Sequence, residues 1–280
     1  MARRVRLDAE LVRRGLARSR AEASELVESG RVTVDGQAAT KPARQVDPAQ
    51  AVELAGAIST GYVSRGAHKL LGALATLGDR APAIAGRRAL DAGASTGGFT
   101  DVLLRAGASS VVAVDVGYGQ LAWRLRQDPR VTVLDRTNVR TLRPEDVAPA
   151  PGLVVSDLSF ISLTLVVDAL RRCAAPDADF LLMVKPQFEV GRDRLGPGGV
   201  VRETPLHHES VMGVCAAAAG VGLDTWAVAA SPLPGPAGNV EYFVALRAGH
   251  PDAMTGARLA DAVWQAIHDG PAGGSMTGEG

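Results

Sequence analysis

Thirty of the 280 residues are Lys or Arg, yet only Lys41, Lys69 and Lys185 are lysines. A guanidinium keeps its proton in a protein, whereas a desolvated ammonium can release one, so a lysine retained in an arginine-preferring chain marks a place where a proton can move. Lys69 stands in SRGAHKL, and Lys185 ends the apolar run DFLLMV before Pro186. Two acids occupy comparable places: Asp157 closes the run GLVVSD, and Glu241 sits in the alternating run NVEYFVALRA. If these four converge, two neighbouring ammoniums each lower the other's pKa from the roughly 10.4 of a free lysine, and partial desolvation lowers both further. One neutral amine could then act as base towards a weakly acidic hydroxyl while the acids position the lysines. That chemistry matches methyl transfer to a ribose 2′-hydroxyl. Taken singly, each of the four also reads as an ordinary surface charge or ion pair.

A second group of residues shapes a ligand site. In GRRALDAGASTGGFTDVLL, Ala89 and Leu90 lead into Asp91, Gly93, Ser95, Gly97 and Gly98, after which Phe99, Val102 and Leu103 take up a helical period. Strand, glycine-rich turn and helix in that order place backbone N–H groups where a nucleotide-like ligand can approach. The next run, SSVVAVDVGYG, is a buried strand ending in Asp115, and an acid at the tip of a second strand can accept ribose hydroxyls. A dinucleotide site needs G-x-G-x-x-G and a helix N-terminus for its pyrophosphate. Here Asp91 stands at the first strand's tip and Ser95 where the second glycine belongs. An acid there repels pyrophosphate and suits the ammonium of a methionine moiety, so S-adenosyl-L-methionine is the expected cofactor. VTVLDRTNV supplies a third strand ending near Asn138, one of only two asparagines. Asn138 reads equally as a contact to an adenine edge or as a turn former.

These residues must be held by a parallel sheet. Strand and helix signals alternate after residue 150, with a helix over 163–173, a helix over 207–220, a strand through TWAVAA and a last strand carrying Glu241. The final pair is expected to form an antiparallel edge. Ligands in such sheets bind beyond the carboxyl ends of the strands, which is where Asp157 and Lys185 fall. Lys69 lies on a helix before the first strand, with Leu70, Leu71, Leu74 and Leu77 as its apolar stripe and Lys69 off the core of that stripe. Residues 258–268 make a terminal amphipathic helix, and the tail 271–280 is expected to be disordered.

The amino-terminal 60 residues form a separate small unit. Leu7, Leu11 and Val12 share a helical face, Ser19 with Glu22 opens a second helix that Gly30 stops, and RVTV before Asp35-Gly36 signals a hairpin. Residues 1–50 carry ten Lys or Arg against seven Asp or Glu, with arginines bunched at 3, 4, 6, 13, 14, 18 and 20. Such density on two helices reads either as a solvated face or as an RNA footprint through Arg4, Arg6, Arg14, Arg18 and Arg20. Pro42, Pro48 and a small-residue run to Gly61 read as a linker. Arg65, beside Lys69, points to RNA phosphate or to a carboxylate. PLPGPAGN (232–239) is a cleft wall or a plain connector, and Tyr118 and Trp123 either cover the cofactor or pack.

Composition excludes several classes. Cys173 and Cys215 give neither a disulfide framework nor metal spacing. His207 and His208 are adjacent and so do not share a helical face, which argues against a metal. No stretch approaches eighteen apolar residues and the amino terminus lacks a signal peptide's apolar core, so a soluble, cytoplasmic protein without a membrane partner is expected. Aromatics are only 4%, so substrate choice should rest on RNA shape and phosphate contacts.

Long segments of the chain resemble the TlyA family of ribosomal RNA 2′-O-methyltransferases, long labelled haemolysins, whose catalytic domain is related to the FtsJ/RrmJ methyltransferases. They are RLDAELVRRGLARSR, VSRGAHKL, LDAGASTGGFT, DVGYGQLAW, DLSFISL, VKPQFEVG, GPGGVV and SPLPGPAGNVEYF. The resemblance implies an α+β alpha-L RNA-binding domain over 1–60 and a Rossmann-like α/β methyltransferase domain over 61–270. It also implies a Lys-Asp-Lys-Glu tetrad at Lys69, Asp157, Lys185 and Glu241, and cytidine targets in the 16S and 23S RNA of the ribosomal subunits. A non-enzymatic RNA-binding or assembly factor is the main alternative, and a membrane-active haemolysin the lesser one.

Overall fold

The computed structural model describes residues 4–14, 16–17, 19–35, 37–47, 50, 52–54, 61–235 and 237–273. Arg18, the linker segment 55–60 and the tail from 274 onward lie outside the described residues.

The amino-terminal unit runs β1 (Val5–Arg6), α1 (Leu7–Arg13), α2 (Arg20–Glu28), β2 (Val32–Val34), β3 (Gln37–Ala38), β4 (Gln45–Val46) and β5 (Val52–Leu54). Ser19 caps α2, its hydroxyl accepting the Glu22 N–H at 3.2 Å. β2 pairs antiparallel with β3 across Asp35, whose φ is 50°. The two helices close over Leu7, Leu11, Ala23, Val27, Val32, Val34 and Val46. One expectation is corrected. β5 falls inside the stretch read as linker and pairs antiparallel with the other edge of β2, because Val52 is buried against that core.

The larger unit contains α3 (Gly66–Leu77), β6 (Arg88–Ala92), α4 (Gly98–Arg105), β7 (Ser110–Val114), α5 (Trp123–Arg126), β8 (Val131–Leu134) and β9 (Leu153–Ser156). It continues with α6 (Val167–Cys173), β10 (Asp179–Val184), α7 (Pro186–Glu189), α8 (Thr204–Gly220), β11 (Asp224–Ala230), β12 (Tyr242–Arg247) and α9 (Gly256–Asp269). Seven strands form one sheet in the order β11-β12-β10-β9-β6-β7-β8. β6 to β10 run parallel, and β12 is antiparallel to both of its neighbours, β10 and β11. The final pair thus forms the expected antiparallel edge: β12 inserts between β10 and β11, leaving β11 outermost. The run YFVAL is buried on both faces, as a place between two strands and two helical layers requires.

Side chains alternate between two cores. Leu90, Val112, Val154, Leu182, Val184, Tyr242 and Val244 face one side with α6, α8 and α9. Ala89, Val111, Leu153, Val155, Leu181, Met183, Phe243 and Ala245 face the other, with α3 and α4. This period of two fixes the direction of whatever follows each strand.

Candidate active site

Extending the alternation by one residue places three side chains on the face covered by α3. Asp157 follows Val155 in phase, Lys185 follows Met183, and Glu241 precedes Phe243. Because β12 is antiparallel, its beginning lies beside the end of β10, with Tyr242 opposite Val184. Glu241 thereby reaches the same sheet end as Lys185, although 56 residues separate them in the chain. β9 ends beside β10, with Ser156 opposite Leu182, and brings Asp157 next to them.

Lys69 completes the group from α3. It is buried although it lies off the core of the apolar stripe. The helix presents Ala67, Leu70, Ala73 and Leu77 to the core, and Lys69 sits on the rim of that face, where the strand ends leave a polar gap. Its Nζ donates to Glu241 Oε2 at 2.5 Å. Lys185 Nζ contacts Asp157 Oδ1 at 2.6 Å and donates to Ser159 Oγ at 3.0 Å. Burial pushes the Glu241 carboxyl up from its ordinary range, with Lys69 and then Lys185 pulling the other way. Each lysine thus has its own carboxylate, and both pairs face one cleft.

That cleft has a volume of about 350 Å³, and Lys69, Asp157, Lys185, Arg65, Phe99 and the glycine turn border it. Gly93 (φ 89°) belongs to the turn because a Cβ there would stand 2.8 Å from the Asp157 carbonyl oxygen. Gly98 opens α4 where a Cβ would stand 2.4 Å from Ser64 Oγ and 2.7 Å from the Ala67 nitrogen. The small residue lets α3 approach α4 closely enough to carry Lys69 over the strand ends. Ser95 adopts φ 47°, and its N–H donates to Asp115 Oδ2 at 2.8 Å. Gly117 donates to the other oxygen of Asp115 at 2.7 Å. The second-strand acid is therefore fixed beside the turn.

Not every expected residue lies in the cleft. Asp91 is fully buried beneath it, because it belongs to β6 itself and points under α4, where the Thr100 hydroxyl donates to Oδ2 at 2.6 Å. Its Oδ1 has no partner, and burial pushes the carboxyl up to about 7. Phe99 packs its ring on Phe243, 6.0 Å between centroids. Asn138 is exposed, caps a short turn through Oδ1 to the Arg140 N–H at 3.0 Å, and does not border the cleft. Its turn-forming role is the one the structure displays. Gly97 (φ 95°) packs against Leu121 and Leu125.

The arginines divide. Arg4 is exposed. Arg6 and Arg20 both reach Asp8, and the hydrogen bond from Arg6 holds that carboxyl down to about 2. Arg14 is not on an outward face: its side chain is 3% exposed, bonded to Glu10 at 2.7 Å. It also crosses to the Gly119 carbonyl at 2.7 Å in the larger unit. Arg14 and Leu16 border the same cleft. Arg65 is exposed and donates to the Pro234 carbonyl at 3.3 Å; Pro234 borders the cleft, so the proline-rich loop is a wall of it. His207 is buried between Tyr242 Oη and the Val201 carbonyl, and among the described residues no cluster could hold a metal ion. Both cysteines are buried thiols.

Family models match both units: an S4 domain over residues 5–52 and an FtsJ-like methyltransferase over residues 62–248. The chain belongs to the FtsJ-like methyltransferase family. This FtsJ-like methyltransferase is 57% identical over 97% of its length to the whole of the 16S/23S rRNA (cytidine-2'-O)-methyltransferase TlyA of Mycobacterium tuberculosis. It is 33% identical over 85% of its length to 98% of Hemolysin A from Brachyspira hyodysenteriae. A solved candidate hemolysin from Streptococcus thermophilus superposes with TM-score 0.70 at 36% identity, covering 96% of this chain and 98% of that one.

Sequence reasoning missed three neighbours of these four side chains. Ser159 contacts Lys185. Phe160, 91% exposed with φ 64°, stands next to it. Glu189 ties the same loop to α7. The segments DLSFISL and VKPQFEVG carried all three, but only the pairing of β9 with β10 sets them against each other.

Proposed function

We propose that this methyltransferase uses S-adenosyl-L-methionine to methylate the ribose 2′-hydroxyl of a cytidine in ribosomal RNA of the small subunit, the large subunit or both. The observation that carries the reading is the pair of lysine–carboxylate contacts at one strand end, opening on a cleft beside the glycine turn. The name of the mycobacterial relative supports the substrate, and the S4 domain supports an RNA partner.

The residues present fit the cofactor. Gly93 and Gly98 keep the turn bare of side chains, Asp115 is fixed beside it, and the unpartnered Asp91 oxygen beneath favours a cation above. When bound, S-adenosyl-L-methionine supplies an electrophilic methyl group on a sulfonium. The chain's own residues then have four tasks. Asp157 and Ser159 orient Lys185 Nζ, and Glu241 orients Lys69 Nζ. Burial raises the Glu241 carboxyl, and the proton of the ribose hydroxyl passes to a lysine Nζ of this group. Among the described residues Arg65 and Arg14 line the same cleft as Lys69, Lys185 and Asp157, an excess of basic side chains that suits a phosphate backbone. Phe160 offers an exposed ring beside Ser159, on which an unstacked base can lie.

The test is to incubate the protein, methyl-labelled cofactor and isolated ribosomal subunits, then map 2′-O-methylation on their RNA. Label on a cytidine ribose is expected; no incorporation into either subunit would overturn the reading. Cofactor binding by calorimetry separates an enzyme from an assembly factor. Among the described residues no helix is long and apolar enough to cross a membrane.

A further inference from the structure

The loop after Asp157 and the helical turn after Lys185 meet at more places than the ion pair. Phe188 of α7 lies against Phe160, with 5.3 Å between ring centroids and 48° between planes. Glu189, the last residue of α7, accepts a hydrogen bond from the Ser162 hydroxyl on one carboxylate oxygen. On the other it accepts the Leu163 backbone N–H at 2.8 Å. The loop needs such a tie. Phe160 holds a left-handed backbone, which is costly for a bulky residue, and its exposed ring gives the loop little packing of its own.

We propose that Glu189 is a positioning residue of the methyl-transfer site. Its carboxylate clamps residues 159–163, so that Ser159 meets Lys185 and Phe160 is held beside the cleft. The inference rests on the ribose-methyltransferase reading given above. Glu189 does not border the cleft, so it acts through the loop rather than on the substrate. Two donors satisfy its two oxygens in a half-buried setting, where an unmatched carboxylate would be unfavourable. Its amide counterpart keeps the arrangement: a glutamine oxygen still accepts from Leu163, and its NH₂ group donates to the Ser162 hydroxyl, which can accept as well as donate.

The experiment compares wild type, Glu189→Ala, Glu189→Gln and Ser162→Ala by methylation kinetics on ribosomal subunits, cofactor calorimetry and hydrogen exchange of residues 159–163. Glu189→Ala should raise KM for RNA and lower kcat together, reducing kcat/KM about 10- to 100-fold, as misplacement near a reacting centre does. Cofactor affinity should stay within about twofold, and Glu189→Gln should recover kcat/KM to within about threefold of wild type. Exchange at residues 159–163 should quicken in Glu189→Ala and not in Glu189→Gln. Ser162→Ala, which removes one donor, should shift kinetics and exchange the same way by less, and it reads the clamp if Glu189→Ala does not fold. Unchanged exchange and kinetics in the alanine variants, or equal impairment by Ala and Gln, would overturn the proposal. Wild type that methylates no ribosomal RNA would instead overturn the ribose reading, and exchange would still report on the clamp.

Discussion

Lys185 and Lys69 sit at the same strand end with different surroundings. Lys185 is held by Asp157, whose side chain is 23% exposed, whereas Lys69 is held by Glu241 at 1%. If proton movement at Nζ is what the site needs, charge alone cannot substitute for it. Lys185→Arg should therefore lose turnover as fully as Lys185→Ala, by about 100-fold or more, while RNA affinity changes little; single-turnover kinetics and filter binding check both. Asp91 makes a separate prediction. Its carboxyl is raised to about 7 by burial, so between about pH 4 and pH 7 the folded chain binds more protons than the unfolded one. The contribution is present at low pH and is lost as pH rises through that window. Asp91→Asn should gain in melting temperature relative to wild type between about pH 5 and pH 8. A difference that stays constant across that range would show that Asp91 does not titrate there.

At the scale of elements, the site depends on how closely α3 lies against the loop that leads from β11 back to Glu241. Gly72 in the middle of α3 faces Pro232, and a Cβ there would stand 2.2 Å from the ring's Cγ. Alanine is the better helix former by about 1 kcal/mol, but overpacking of this kind costs about 1–3 kcal/mol. Gly72→Ala should accordingly lower the melting temperature, and it should lower kcat as well, because α3 carries Lys69 and the loop carries Glu241. Calorimetry with methylation rates tests this. The elements themselves were legible from pattern: the apolar runs of β6, β7, β9 and β10 and the glycine turn are where periodicity puts them. The place of β12 was not. A run apolar on both faces fits an interior strand of either direction, so its insertion between β10 and β11 waited on pairing. That β5 is a strand was hidden for a similar reason, since three residues are too few to show alternation.

At the scale of the whole molecule, Arg14 joins the S4 domain to the methyltransferase by reaching the Gly119 carbonyl. Gly119 shares its loop with Asp115 and with Gln120, which meets Ser95. Arg14→Ala should loosen the two units, increasing the radius of gyration in small-angle scattering and raising KM for RNA. Arg65→Ala, at the cleft, should reduce the slope of log affinity against log salt by about one. No change in slope would show that Arg65 makes no phosphate contact, and no change in scattering that Arg14 does not hold the two units together. The sequence by itself marked the four candidate side chains, the two-unit plan and the strand ends on which Asp157 and Lys185 stand. Side-chain type, apolar period and turn chemistry are local properties of the chain. Tertiary structure alone decided that Lys69 pairs with Glu241 and Lys185 with Asp157, that Asp91 lies beneath the cleft, and that Arg14 faces inward. Those outcomes depend on which strands become neighbours and which helix face the sheet covers, and no run of consecutive residues contains that information.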